Sequence, residues 1–130
     1  MKVLLVSPDP ESRELMALAV AGIERRLGAP LEFLEATDGG RGLTVAFRER
    51  PDVVVADEIA SRAGAFSLTM DLRGAPEPYP GVIVILLERR QDAWLAGWAG
   101  ANAWFVRPVD PFALADRLLE LVSTAQKETA

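Results

Sequence analysis

Pro51-Asp52-Val53-Val54-Val55-Ala56-Asp57 is the stretch whose reading decides the fold. It is a β-branched apolar run ending on a carboxylate. A strand apolar at consecutive positions has both faces covered, as in the centre of a parallel sheet. In such sheets the functional crevice lies beyond the carboxyl ends of the strands. Asp57 is therefore placed where chemistry is usually done, although a carboxylate there can equally cap the following turn.

Similar runs lie on either side. Val3 to Val6 and Val82 to Leu87 read as buried strands, and Ala103 to Val106 as a shorter fifth strand. Leu31 to Ala36 alternates apolar residues with Glu32 and Glu35, so it predicts a strand with one more exposed face. Between the strands the spacing turns helical. Asp9 and Pro10 open a helix carrying Leu15, Leu18, Ala19, Ile23 and Leu27, which Gly28 stops. After the Thr37-Asp38-Gly39-Gly40 turn, Leu43, Val45, Ala46 and Phe47 mark a second helix, and Phe66, Leu68, Met70 and Leu72 a third. Ser61 to Gly64 reads as loop, and Gly74 to Gly81, with three prolines, as a connection. Gln91 to Ala99 predicts a fourth helix. Asp110-Pro111 opens a fifth with Leu114, Leu118, Leu121 and Val122 on one stripe, fraying after Ser123. Strand and helix alternate five times, which predicts an α/β fold: a five-stranded, doubly wound parallel sheet.

Bulk composition narrows the function. A chain of 130 residues, half hydrophobic and a quarter charged, suits one globular domain. A net charge of −5 argues against a nucleic-acid surface. Cysteine and histidine are both absent, which removes thiolate chemistry, Cys-type zinc sites and the commonest general base. Catalysis would have to run on carboxylates or hydroxyls alone, and no serine has a histidine or lysine partner to activate it, so a non-enzymatic role is expected. The N-terminal apolar run is too short for a signal peptide and no stretch approaches a membrane span, so a soluble cytoplasmic protein without membrane contact is expected.

The ends of the first, third, fourth and fifth strands carry Ser7-Pro8-Asp9, Asp57, Leu86-Leu87 and Arg107-Pro108. With VLLVSPDP at the start, EATDGGRGL after the second strand, PDVVVADEI around Asp57 and GANAWFVRPVDP near the end, this layout resembles the receiver domain of two-component response regulators. The resemblance spans essentially the whole chain, read as a receiver-like domain over 1–124 with a tail over 125–130. It implies a CheY-like, flavodoxin-like (βα)5 fold with strand order 2-1-3-4-5. No effector domain follows Thr124, so a stand-alone module is expected.

The resemblance also implies a site. In receivers an aspartate at the position of Asp57 accepts a phosphoryl group, an acidic pair after the first strand holds Mg²⁺, a Thr or Ser ends the fourth strand, and a Lys precedes the proline of the fifth. By position these are, here, Asp57, Ser7 and Pro8, Leu86, and Arg107. Only the acceptor survives unchanged. Mg²⁺ requires oxygen ligands in near-octahedral array, and Pro8 offers no side-chain ligand. Leu86 cannot donate to a phosphoryl oxygen. Asp9 falls in the phase that starts the helix, and Glu58 should face away from Asp57. No metal and no cofactor are therefore expected; if Mg²⁺ is held after all, Asp9 and Asp57 are the candidates. Arg107 keeps the charge of the Lys in a planar fork. It either pairs with Asp57 as a permanent counter-ion standing in for the metal, or reaches solvent and leaves Asp57 as a turn carboxylate.

The expected function is that of a pseudo-receiver acting by protein–protein contact, with phosphorylation of Asp57 through a rearranged metal site as the alternative. A flavodoxin-like cofactor binder would need a phosphate-cradling loop after the first strand, and Ser7-Pro8-Asp9-Pro10 is acidic and stiff instead. Receivers commonly dimerise or engage partners through the fourth helix, fifth strand and fifth helix, so a protein partner or homodimer is expected on that face. It carries all three tryptophans. Trp94 is expected in the core, Trp98 at an interface, and Trp104 either in the core or at the interface edge.

Overall fold

Parallel strands whose side chains are apolar on both faces must be covered on both, and the computed structural model arranges the chain in that way. It describes residues 1–58 and 64–129, with side chains through 125; the expected loop at Ser61–Ala63 lies outside the described residues. The strands are β1 (Lys2–Val6), β2 (Glu32–Ala36), β3 (Val53–Glu58), β4 (Val82–Leu87) and β5 (Ala103–Val106). They form one parallel sheet in the order β2-β1-β3-β4-β5. The helices are α1 (Pro10–Leu27), α2 (Gly39–Glu49), α3 (Ala65–Arg73), α4 (Ala93–Ala99) and α5 (Pro111–Thr129). The expected sheet and its order are both observed.

Alternation along each strand divides the core in two. Val3, Leu5, Val53, Val55, Val82, Val84 and Leu86 pack against Met16, Val20 and Ile23 of α1 and Leu114 and Leu118 of α5. Leu4, Val54, Ala56, Ile83, Ile85 and Leu87 pack on the other face against Ala46 of α2, Leu68 and Leu72 of α3, and Ala96 of α4. Each such Val, Leu, Ile or Met side chain, fully removed from water, contributes about 1.5–3 kcal/mol before entropy is subtracted. The parity also decides the site. Ser7 follows Val3 and Leu5, and Asp57 follows Val53 and Val55, so both side chains turn toward α1 and α5.

Helix ends follow the expected chemistry. Asp9 Oδ1 accepts from the Glu11 amide at 3.0 Å, Pro10 occupies the first turn, and Gly28 closes α1 in the left-handed region at φ 65°. Asp110 Oδ1 accepts from the Phe112 amide at 2.9 Å at the start of α5. Four details differ from the sequence reading. Gly39 and Gly40 belong to α2, because Asp38 caps it by accepting from the Arg41 amide at 2.9 Å. The expected fourth helix divides into a short 3-10 turn, Arg90–Asp92, and α4. The last helix runs on to Thr129, past the point where fraying was expected. The buried stripe of α1 is Ser12, Met16, Ala19, Val20 and Ile23, whereas Leu18 is 65% exposed.

Candidate functional site

β3 ends with its carboxylate facing inward, and the Asp57 side chain is wholly shielded from solvent. An ionised carboxylate in such a place must be paired and hydrogen-bonded. Asp57 Oδ2 accepts from Ser12 Oγ at 2.6 Å and from Ser7 Oγ at 3.0 Å. Arg107, which follows β5, donates from Nε to Oδ1 at 3.1 Å and pairs with Oδ2 through Nη2. The guanidinium thus grips both oxygens in a fork, the geometry that favours Arg over Lys. Arg107 Nη2 also donates to Ser12 Oγ at 2.8 Å, so Ser12 links cation and anion. Of the two expectations for Arg107, the ion pair with Asp57 is the one observed.

The surrounding backbone fixes this cluster. Ser7 Oγ accepts from the Asp9 amide at 3.1 Å, and Arg13 Nη1 donates to the Ser7 carbonyl at 2.6 Å. Burial pulls the Arg107 guanidinium below its ordinary pKa, while the charge of Asp9 acts in the opposite direction. Arg107 nevertheless remains charged, since a guanidinium is not deprotonated in proteins. No buried side-chain polar atom among the described residues lacks a partner.

The other positions implied by the resemblance are now placed. Pro8 is exposed and has no ligand to offer. Leu86 lies beside Asp57 in the β3–β4 register, fully buried and without a donor. Asp9 uses Oδ1 to cap α1. Glu58 Oε2 accepts from the Phe66 amide at 2.9 Å and so caps the start of α3. Burial raises its pKa, opposed by the Phe66 and Ala65 amides. That cap requires glycine at position 64, where a Cβ would sit 2.5 Å from Glu58 Oε2. The donor set does not fit Mg²⁺. One carboxylate faces the site, already held by a guanidinium, and the nearest other acids serve as helix caps. No group of three or more His, Cys, Asp or Glu able to hold a metal occurs among the described residues.

Ser12 was not singled out from the sequence. The available signal was a hydroxyl at the head of an apolar helical stripe, visible only once Met16, Val20 and Ile23 are chosen as that stripe instead of Leu15, Leu18 and Leu27.

The tryptophans require one correction. Trp94 is 69% exposed and does not enter the core. In α4 the buried residues are Ala96 and Ala99, so the helix approaches the sheet through small side chains and turns Trp94 outward with Trp98, itself 67% exposed. A Cβ at Gly97 would lie 3.1 Å from the Trp104 ring, so the glycine makes room for that indole against α4. Trp104 stays 39% exposed, packed along one side and open along the other. Three indoles therefore mark one surface.

A five-stranded parallel sheet in this order, with an inward aspartate at the end of β3 and a cation after β5, defines a receiver domain, and the chain belongs to the response-regulator receiver family. It is 26% identical over 122 residues to an uncharacterized response regulatory protein of Mycobacterium tuberculosis, covering 94% of this chain and 91% of that one. It is 31% identical over 81 residues to protein PilH of Pseudomonas aeruginosa, covering 61% of this chain and 67% of PilH. Among solved structures, the BeF3-activated N-terminal receiver domain of Klebsiella pneumoniae RstA superposes with a TM-score of 0.72 at 27% identity, over 94% of this chain and 98% of that one. No protein-family model matches the chain. Among the described residues no helix is long and apolar enough to cross a membrane.

Proposed function

We propose that this receiver domain is a non-enzymatic, divergent one that signals by protein–protein contact and takes up no Mg²⁺-dependent phosphoryl group on Asp57. The observation that carries this reading is the engagement of both Asp57 oxygens by Arg107, Ser7 and Ser12. Phosphoryl transfer to a carboxylate brings anions together, so the protein must supply positioning and neutralising charge. Here the neutralising charge is bonded to the nucleophile itself. Arg107 would have to leave before a phosphodonor could approach, and no second carboxylate stands ready to bring a metal.

Contact would be made through α4, β5 and α5, where Trp94, Trp98 and Trp104 lie exposed. Exposed indoles are costly unless covered, and aromatic residues are enriched at interface hot spots. The partner would be a protein or a second copy of the chain, not nucleic acid or a membrane.

The test is titration with Mg²⁺ and beryllofluoride followed by amide NMR, with intact-mass analysis after incubation with acetyl phosphate. No saturable shift around Asp57 and no added phosphoryl mass are expected. A firmly bound Mg²⁺, or an adduct on Asp57, would overturn the proposal. The alternative, phosphorylation with Asp9 or Glu58 drawn to the metal, would then stand, as the beryllofluoride-activated relative from Klebsiella encourages.

A further inference from the structure

A second concavity lies away from Asp57, where the end of β2 meets α1 and α2. It has a volume of about 530 Å³, within the range of small-molecule sites. Its wall carries three guanidiniums, those of Arg13, Arg41 and Arg48, with one carboxylate, Glu35, and the hydroxyls of Thr37 and Thr44. Three guanidiniums thus line one concavity on a chain whose net charge is −5, and each has one carboxylate, Glu35, Asp38 or Glu49, within 4.0 Å. Such a concentration of guanidinium donors on one concave wall can hold an oxyanion.

The guanidiniums retain donors for a ligand. Their contacts with acids are loose: Arg13 Nε to Glu35 at 4.0 Å, Arg41 Nε to Asp38 at 3.8 Å and Arg48 Nε to Glu49 at 3.9 Å, all longer than hydrogen bonds. Arg41 Nη1 reaches Thr37 Oγ1 only at 3.5 Å. Arg13 alone is firmly anchored, through Nη1 on the Ser7 carbonyl at 2.6 Å, and its side chain is 17% exposed. One anchored fork and two exposed ones around a concave floor suit a tetrahedral oxyanion, because a guanidinium binds phosphate through paired N–H groups.

We propose that this cleft binds a small phosphorylated anion, independently of the chemistry at Asp57. Inorganic phosphate and pyrophosphate are the probes, titrated by calorimetry and by amide NMR against sodium chloride and sodium sulfate at equal ionic strength. Saturable binding is expected, with shifts centred on Thr37, Gly40 and Thr44. Arg41→Gln combined with Arg48→Gln should weaken it by roughly tenfold or more, as expected for the loss of charge-assisted pairs. Both side chains are largely exposed, so the urea midpoint should not move. Binding matched by sulfate, unaffected by the double substitution, or mapped elsewhere would overturn the proposal, as would no saturable binding at all. Arg13 is left intact in this test because it also holds the Ser7 carbonyl.

Discussion

Arg107→Ala gives the most direct test of the arrangement at Asp57. Removing one partner of a buried ion pair costs about 3–5 kcal/mol, because the other charge stays behind uncompensated. Two features reduce that figure here. The Arg107 side chain is 30% exposed, so water can follow the departing guanidinium, and Ser7 and Ser12 continue to donate to Oδ2. The expected loss is therefore about 2–3 kcal/mol. At about 2.1 cal/mol/K of unfolding entropy per residue, 130 residues turn each kcal/mol into roughly 4 °C, so the midpoint should fall by about 8–12 °C. Arg107→Lys retains the charge but loses the fork and should cost about 1 kcal/mol. Asp57→Asn should also cost less than Arg107→Ala, since the freed guanidinium can turn to solvent whereas the freed carboxylate cannot. Urea unfolding followed by circular dichroism measures all three variants, with unchanged m-values confirming intact folds. The reasoning fails if Arg107→Ala costs less than about 0.5 kcal/mol, the ordinary scatter of surface substitutions. It fails equally if Asp57→Asn is the more damaging change.

Two further outcomes follow from the same geometry. Ser12→Ala removes the 2.6 Å bond to Asp57 and the acceptor used by Arg107 Nη2, so in urea unfolding it should cost about 1.5–3 kcal/mol, more than Ser7→Ala. The raised pKa of Glu58 means that the folded state holds its proton to higher pH than the unfolded chain, so this group's contribution to stability falls as pH rises from 4.5 through the raised value. Glu58→Gln should therefore gain on the parent protein in urea midpoint between pH 4 and pH 7, and a constant difference across that range would contradict the assignment.

The fold was legible because its determinants are local. Consecutive β-branched residues in Val53–Val55 and Val82–Ile85, and the Asp-Pro starts at Asp9 and Asp110, each identify an element without knowledge of the others. The site was legible as far as strand ends could be read, which located Asp57, Leu86 and Arg107. Ser12 was less accessible because it acts from inside a helix whose stripe admits two phases, Leu15-Leu18 or Ser12-Met16, and only packing against α5 chooses between them. Trp94 failed for a related reason. Size suggests burial, but α4 packs closely, and close packing selects Ala96 and Ala99 for the inner face. There the largest residues are the ones turned out.

The substitutions at the Asp57 site also agree with one another in charge. The receiver pattern sets an acidic pair and an acceptor against one lysine, a surplus of two negative charges that a divalent cation balances. In this chain Ser7 and Pro8 stand at those positions, so one inward carboxylate faces one guanidinium, with the charge of Asp9 also acting on Arg107. Under the proposed function that surplus is smaller, which weakens the electrostatic attraction for a metal. The hydroxyl chemistry has moved as well: Leu86 offers none, while Ser7 and Ser12 supply two donors from β1's end and α1. In the site as it stands every buried polar side-chain atom is partnered among the described residues. Restoring the acidic pair by Ser7→Asp and Pro8→Asp should therefore not recreate a metal site while Arg107 remains, because the guanidinium already occupies both oxygens that the ion and a phosphoryl group would share.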